Sequence, residues 1–392
     1  MREAGTEQAE LLVAPLLGDI AAQASAADQS RSVDARVLQR IRDNDVMRLT
    51  ASAELGGLDG RCQQVGEELS AVAVACGSTA WCLWNHLCTF HLFCGLLGPE
   101  HEAFLREITH SHQWVCFPAG ASTAVRGVVR GADVVLSGQA AFGSGARYAD
   151  WAGVSFVLDE PKAPRFSMVD LHQDGVRIEA TWDAMSLRAS ATDHVFYEGG
   201  SVPAARMVPF PLKYRVRFRA PDYPVIHHRY REDWVGLSDL WLGMMAVGVT
   251  QACLDECCEG IRDRIAIMGT RMVERPTIHV NLGQASALVD AARDTVTAAL
   301  RETDARIDAG VIPTEADYLR QLSASMLGLQ LCDEAMRLVL RVLGGNGLRE
   351  SASFERRYRD FQAMPLHINA HRDRVTEQVG RHRLGLDTEN PF

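Results

Sequence analysis

Residues 343–368 read LGGNGLRESASFERRYRDFQAMPLHI, and this stretch says most about the fold. It begins where a long run of helical periodicity, Glu315–Leu343, meets the glycine cluster Gly344–Gly347, and glycine commonly ends helices. The charged segment ERRYRD follows and ends at Asp360. Near the end of the stretch stands His367, whose imidazole can exchange a proton near neutral pH. The stretch therefore combines a helix end, a charged segment and one candidate acid–base residue.

Long helical periodicity also covers the rest of the C-terminal part of the chain. Apolar residues recur at helical spacing in four candidate helices: Leu240–Ile267, Val280–Ala309, Glu315–Leu343 and Leu366–Leu384. This pattern predicts a four-helix bundle over residues 209–392.

Shorter elements precede the bundle. Residues 1–112 predict a helical domain that opens with an amphipathic segment and continues with Val33–Leu49, Arg61–Ala75, Ala80–Leu97 and Pro99–Thr109. Residues 113–208 predict a small β domain with these strands: Trp114–Phe117, Ala124–Val129, Asp133–Ser137, Trp151–Leu158, Arg165–Asp170, Val176–Glu179 and Asp193–Tyr197. Segregated runs of helix and strand are typical of the α+β class.

Composition narrows the kind of partner. The chain has 392 residues, 47% of them hydrophobic, so it can bury a large core. The formal net charge is −10 and there is no long basic run, which argues against nucleic acid or an anionic membrane as the primary partner. Small molecules are the better expectation.

Two segments have lengths that targeting or membrane signals share, but not their composition. Residues 1–30 lack the basic start and apolar core of a secretory signal. Ala71–Leu97 is apolar, but it is interrupted at Gly77 and carries Asn85, His86 and His91, so two buried helical pieces are expected instead of a membrane span. The sequence thus predicts a cytoplasmic protein.

The ten cysteines form no metal or disulfide pattern. Cys76, Cys82, Cys88 and Cys94 recur every six residues, a step that scatters their sulfurs over different faces of a helix. There is no C-x-x-C, so we expect reduced thiols and no metal site.

Three further stretches carry recognisable patterns. They are WDAMSLRASATDH at 182–194, which is followed by Val202-Pro203, CGSTAW at 76–81, and LSGQAAFGSG at 136–145. The first and the 343–368 stretch resemble the patterns W-D-x-x-G-L-R-x-T-x-S-x-D and GG-x-G-Y…ER-x-YRD of the acyl-CoA dehydrogenase superfamily. The resemblance runs from about residue 35 to about residue 386 and includes Arg188.

The other two stretches point to one branch of that superfamily. They are similar to G-S-x-A-W and S-G-x-W-x-F-S-S-G of the flavin-dependent monooxygenases typified by the oxygenase component of p-hydroxyphenylacetate hydroxylase. Ser144 and Gly145 match, whereas Ala140 and Gly143 replace the aromatic residue and the first serine. The resemblance implies an N-terminal helical domain, a β-barrel-like middle domain and a C-terminal four-helix bundle.

The resemblance also implies changed chemistry. Acyl-CoA dehydrogenases need a carboxylate base and usually place it about eight residues after the Asp that matches Asp360. Here that position is Ile368, with His367 beside it, and the alternative base position aligns with Ser238. Neither position holds a carboxylate.

Site residues follow from the same resemblance. His367 and Ser144 would be catalytic, and Trp81 and Trp84 would line the substrate pocket. The flavin would be held by Trp114, Phe117, Phe142, Ser144, Gly145, Arg264, Gly345, Asn346 and Gly347. Glycine lets a backbone approach a flat ring, and arginine matches phosphate oxygens. The phosphate-side residues often come from a neighbouring subunit in this superfamily, which implies a homotetramer.

The sequence thus predicts the oxygenase component of a two-component flavin monooxygenase. A separate reductase would supply reduced FMN or FAD. This flavin would react with O2 to form a C4a-hydroperoxyflavin, which would hydroxylate a small aromatic or amine-bearing substrate. Two alternatives stay open: an acyl-CoA or acyl-carrier dehydrogenase or desaturase with tightly bound FAD, and a catalytically silent homologue. His367 and His371 at i,i+4 could also form a metal pair, but no third ligand stands at a matching spacing.

Overall fold

The computed structural model describes residues 10–120, 125–211, 214–266 and 269–388. Helices precede a sheet and longer helices follow it, as in the α+β order predicted from the sequence. The first helices are α1 (Ala14–Ser30), α2 (Ala35–Arg42), α3 (Cys62–Ala75), α4 (Gly77–Leu97) and α5 (Glu102–His110). The strands are β1 (Val115–Cys116), β2 (Arg126–Arg130), β3 (Asp133–Gly143), β4 (Trp151–Leu158), β5 (Ala163–Asp170), β6 (Val176–Glu179), β7 (Asp193–Pro203) and β8 (Val208–Pro209). The later helices are α6 (Tyr214–Phe218), α7 (Trp234–Arg262), α8 (Pro276–Asp308), α9 (Glu315–Leu343), α10 (Ser353–Ala363) and α11 (Arg372–Arg383).

The strands form one mixed sheet. Its order is β6-β7-β3-β2-β4-β5-β8, and β1 pairs in parallel with β4. Strands β3 and β7 extend beyond the runs predicted from the sequence, and their antiparallel pairing is irregular between Ala140 and Gly143. Such an irregularity re-aims the strand end, so Ser144 leaves the ladder of β3.

Helix α4 is the central element of the N-terminal part. Every residue from Gly77 to Leu97 is buried, as expected for a helix that is apolar on all sides. It packs against α3, α7, α10 and β1. The helix therefore carries its tryptophans, Trp81 and Trp84, between the sheet and the C-terminal helices.

Helices α7, α8 and α9 pack on one another, with α3 against α7 and α11 against α9. The bounds of α9 are those predicted, because Thr314 and Asp317 form a capping box at its start and Gly344, with φ of +62°, ends it. Helix α7 begins before the predicted Leu240, since Asp233 accepts a hydrogen bond from the Val235 amide. The predicted last residue of that helix, Ile267, lies outside the described residues.

Helix α7 is the one helix of the described residues that is long and apolar enough to cross a membrane. However, 83% of its apolar window is buried inside the protein, as in the core helix of a globular fold.

The predicted fourth helix, Leu366–Leu384, is wrong at its start. Helix α10 ends at Ala363, and a single 3-10 turn containing Pro365 follows. His367 then adopts an extended conformation with ψ of 132°, and α11 begins only at Arg372. Proline has no N–H to donate and fixes its own φ, so the chain leaves the helix here and restarts after His371.

Candidate active site

The two signature stretches of the sequence are joined by Asp360. Its carboxylate accepts a hydrogen bond from the Leu187 amide at 2.7 Å, and its carbonyl accepts one from the Ser186 hydroxyl at 3.2 Å. Burial raises the pKa of Asp360 to about 7. The ERRYRD segment therefore fixes the loop that follows Trp182, although 173 residues separate the bonded pair.

Asp360→Asn should keep most of the stability, whereas Asp360→Ala should lose about 1–3 kcal/mol, because only the alanine leaves the buried Leu187 amide without a partner. The pKa of Asp360 rises from 3.8 to about 7 on folding, so the folded state binds this proton more tightly. The stabilisation that Asp360 contributes therefore falls as pH rises from 3.8 to about 7. Asparagine does not titrate, so the Asp360→Asn variant should lack this pH-dependent part of the stability. Thermal unfolding of wild type and both variants at pH values below and above the interval measures it. An identical pH dependence in wild type and Asp360→Asn would contradict the assignment.

A chain of buried hydroxyls holds Ser144. The Trp81 indole Nε1 donates to Ser144 Oγ at 3.0 Å, and Ser144 Oγ lies 3.1 Å from Thr192 Oγ1. Thr192 is in turn 2.7 Å from the hydroxyl of Ser190. The Ser144 hydroxyl is therefore fixed by side chains from α4 and from the segment that leads into β7.

Gly145 makes the turn that follows. Its φ is +77°, a region that favours glycine, and a Cβ placed there would lie 3.5 Å from Nε1 of Trp114. Trp114 is fully buried, and its Nε1 has no hydrogen-bond partner within the described residues. A buried indole donor thus faces the turn that carries Ser144 and Gly145.

His367 contacts the same tryptophan that donates to Ser144. The centre of its ring lies 5.8 Å from that of Trp81 and 5.1 Å from that of Trp84, both edge-on. Its Nδ1 is buried without a partner among the described residues. Burial, reinforced by the positive charge of Arg374, lowers the pKa of His367 to about 4. The imidazole is therefore neutral at pH 7 and offers a ring nitrogen.

His367 and His371 do not share a helical face, because His367 lies in extended backbone before α11. Within the described residues, no group of three or more His, Cys, Asp or Glu side chains could hold a metal ion. The metal-pair hypothesis therefore loses its geometric basis.

A cavity of about 240 Å³ lies beside the hydroxyl chain. Phe142, 61% exposed, and Trp182 stand in its lining, and Thr192 connects it to Ser144. A second cavity, of about 820 Å³, shares Asp183 and Ala184 with the first. Its charged lining residues are Asp28, Arg31, Asp183, Arg188, Glu350, Glu355, Arg356 and Arg359.

This charged cavity was missed in the sequence because its residues come from three separate segments. Its arginines are largely paired: Arg31 with Asp183 at 3.1 Å, and Arg359 with Asp28 at 2.9 Å. Opposite charges in equal number make it polar without a strong net field.

The residues predicted for the flavin phosphates lie together. Arg264 Nη1 donates to the carbonyl of Leu343 at 3.3 Å, directly before the glycine turn. Gly345 and Asn346 are exposed, whereas Gly347 is buried against α9. The arginine and the glycines can therefore contact one ligand at the surface.

Phe117 has a different setting from the other predicted aromatic residues. Its ring packs in an aromatic cluster with Phe93, Phe166, Phe210 and Trp234. Only 6% of Phe117 is exposed. These neighbours are those of a core residue.

Asp239 is a residue that the sequence reading missed. It lies on α7 directly after Ser238, whose carbonyl accepts the Trp84 indole N–H at 2.8 Å. The available signal was an acidic residue inside the apolar run of 234–249. A buried carboxyl group therefore lies one residue from the position that was read as lacking one.

Known proteins of similar sequence and structure include flavin-dependent hydroxylases. Residues 240–372 match the family model "Acyl-CoA dehydrogenase, C-terminal domain". A pigment production hydroxylase from Rhodococcus sp. is 22% identical over 96% of this chain and 96% of its own length. The oxygenase component of an FADH(2)-dependent resorcinol hydroxylase from Rhizobium sp. is 24% identical over 93% and 91%. The solved structure of XiaF from Streptomyces sp., in complex with FADH2 and glycerol, has a TM-score of 0.86 at 20% identity and covers 97% of this chain and 95% of XiaF.

Proposed function

We propose that this member of the acyl-CoA dehydrogenase superfamily is the oxygenase component of a two-component flavin-dependent monooxygenase. It hydroxylates a small aromatic or amine-bearing substrate with O2 and with reduced FMN or FAD that a separate reductase supplies. The names of its relatives support this activity, since one is an FADH(2)-dependent hydroxylase component and a structural neighbour contains FADH2.

One observation carries the proposal. The Trp81 indole donates to Ser144 and packs edge-on against His367, so a strand-end hydroxyl and a neutral imidazole flank the same ring. Dehydrogenases of this fold use a carboxylate base to remove a proton beside a thioester carbonyl. Here the candidate base is a neutral imidazole, which can accept the proton of a substrate O–H or N–H at its unpartnered ring nitrogen.

The residues present fit a flavin. The cavity beside Ser144 has aromatic side chains, Phe142 and Trp182, for a flat ring and hydroxyls for its polar edge. Trp114 Nε1 adds a buried donor without a partner in the described part of the chain. Arg264 and Gly345–Gly347 suit the phosphate end, contributed by a neighbouring subunit in a homotetramer. A bound reduced flavin supplies the two electrons that O2 needs.

The chain's own residues then have distinct roles. His367 accepts the proton of the substrate's O–H or N–H at its free ring nitrogen. Trp81 and Trp84 exclude water and hold the imidazole by its edges. Ser144 positions the polar edge of the flavin. The ten free cysteines agree with a reducing, cytoplasmic location.

The net reaction can be tested with resorcinol as the first probe. One atom of O2 replaces a ring hydrogen as hydroxyl, the other leaves as water, and reduced flavin provides two electrons and two protons. Mixed with reduced flavin and then oxygen, the protein should take up O2 before hydrogen peroxide appears, whereas free flavin releases peroxide at once. Product formed under ¹⁸O2 should carry one labelled atom. Simultaneous O2 uptake and peroxide release, with and without probes, would refute the oxygenase.

Asp239 favours a second candidate, a dehydrogenase. Its carboxyl lies next to Ser238 on α7, close to where some dehydrogenases of this fold carry their base. A dehydrogenase would bind oxidised FAD tightly and bleach it anaerobically with butyryl-CoA. The oxygenase would not, and this experiment separates the two.

A further inference from the structure

Asp239 is a buried acid without a partner. It is 0% exposed, and neither carboxyl oxygen has a hydrogen-bond partner within the described residues. The Oδ1 atom of Asn85 on α4, a residue that is 9% exposed, likewise has none there. Buried polar atoms are nearly always paired, so two such groups on facing helices need an explanation.

Two other buried acids, Asp193 and Asp304, have hydrogen-bond or ion-pair partners. Asp193 is 0% exposed but pairs with Arg147 at 2.5 Å and accepts the amide of Thr181. Asp304, 4% exposed, accepts the Cys62 amide at 2.7 Å. The fold thus satisfies these two carboxylates internally, whereas both oxygens of Asp239 lack a partner within the described residues.

Asp239 lies at the inner end of the candidate active site. The preceding residue, Ser238, accepts the Trp84 indole, and Trp84 packs against His367. Along α4, Trp81, Trp84 and Asn85 fall on one stripe at helical spacing.

Two further neighbours fix the position of Asp239. Burial raises the pKa of the Cys88 thiol, and the adjacent charge of Asp239 raises it further. Arg374 lies near enough to influence both Asp239 and His367. The carboxyl therefore lies on α7 within electrostatic reach of Cys88 on α4 and of Arg374 on α11.

We propose that Asp239, assisted by Asn85, binds the protonated amino group of the substrate at this inner end. The inference rests on the proposed function, because it treats the space around Trp84 and His367 as the substrate site. Burial raises the pKa of Asp239 well above its usual value, because an unpaired carboxylate is costly there, and a ligand cation with several N–H donors removes that cost. Asn85 adds an oxygen acceptor, as an ammonium group requires.

The charge arrangement favours an amine over a substrate carboxylate. Arg374 is the cation that acts on Asp239; its Nη1 donates to the carbonyl of Ile368 and to Asn369 Oδ1, at 3.3 and 3.2 Å, and its buried Nε has no partner within the described residues. Asp239 has both oxygens available. Asp239 and Asn85 would orient the substrate's amino group inward and leave its reactive end at His367.

Binding of tyramine and of its neutral counterpart 4-ethylphenol tests this directly. Titration calorimetry on the full chain, without flavin or oxygen, should show that wild type prefers tyramine. Asp239→Asn should lose about 10- to 100-fold of that preference, because a charge-assisted hydrogen bond is lost, with little change for 4-ethylphenol. Thr250→Val is the matched control, since Thr250 is a buried polar residue of α7 whose hydroxyl already bonds Ala246.

Three results would overturn the amine subsite: no tyramine binding to wild type, equal preference in wild type and Asp239→Asn, or tighter binding of 4-hydroxyphenylacetate than of tyramine. A ligand-free measurement adds a fourth. Melting of Asp239→Asn should equal or exceed that of wild type, because no internal bond is removed. A fall of more than about 5 °C would mean that Asp239 has an internal partner such as Arg374. Because no flavin is present, failure here is distinguishable from failure of the oxygen-uptake test.

Discussion

His367→Asn should lower the rate of substrate hydroxylation by about 100- to 10,000-fold, the usual contribution of a positioned general base. Asparagine can fill part of the space beside Trp81 and Trp84 and can accept a hydrogen bond, but it cannot take up a proton. Uptake of O2 by the protein with reduced flavin should continue, because the Ser144 side of the site is unchanged. Oxygen would then leave as hydrogen peroxide instead of entering the product.

Product and peroxide should be measured together, with the phenolic probe that wild type turns over. His371→Asn is the matched control, since His371 lies on the same segment but is the N-cap residue of α11, and the histidine that makes ring contacts with the two tryptophans in the described residues is His367. If both variants lost product equally, or if His367→Asn kept the wild-type rate, the imidazole would be a packing residue only.

The pH profile gives an independent check. An ordinary histidine with pKa 6.5 would lose half of its base form at that pH, but burial lowers the pKa of His367 to about 4. The rate should therefore stay level from about pH 5 to about pH 8, provided that the substrate does not titrate there. The same shift favours the neutral form in the folded state. The contribution of neutral His367 to the stability of the fold is thus complete above pH 6.5 and is lost as pH falls through that value toward about 4.

Local signals in the sequence were sufficient for the long elements. Helix α9 was predicted at its observed bounds because a capping box and a glycine mark its two ends. Strands β4 and β6 were also predicted at their observed bounds. The start of α11 was wrong because apolar spacing suggested continuity through Leu366, whereas Pro365 had already broken the helix.

The fold class was predicted from motifs, and the whole-chain structural similarity confirms it, while the family model matches residues 240–372. Contacts inside the site could not be predicted in the same way. Trp81 and Ser144 are 63 residues apart, and no periodicity relates a helix indole to a strand-end hydroxyl. The lack of partners at Asp239 is a property of all neighbouring side chains together, so it emerges only from the packed structure.

Ser144→Ala should raise the share of consumed O2 that is released as hydrogen peroxide by about 5- to 100-fold, the range expected when a buried hydrogen-bond partner worth 1–3 kcal/mol is removed. The alanine leaves the Trp81 indole N–H without its acceptor and Thr192 without a neighbour hydroxyl. It also removes the hydroxyl that faces the proposed flavin. The ratio of peroxide released to O2 consumed, at saturating reduced flavin, measures the effect.

Trp81→Phe separates the two ways in which Ser144 could act. Phenylalanine keeps an aromatic ring beside His367 but removes the N–H that Ser144 accepts. If Ser144 works only by holding Trp81, Ser144→Ala, Trp81→Phe and the double variant should release similar shares of peroxide. If the hydroxyl contacts the flavin, the double variant should release clearly more than Trp81→Phe alone, because a second interaction is lost. A peroxide share that is unchanged in Ser144→Ala would remove Ser144 from the reaction, and the proposed orientation of the flavin edge would fall with it.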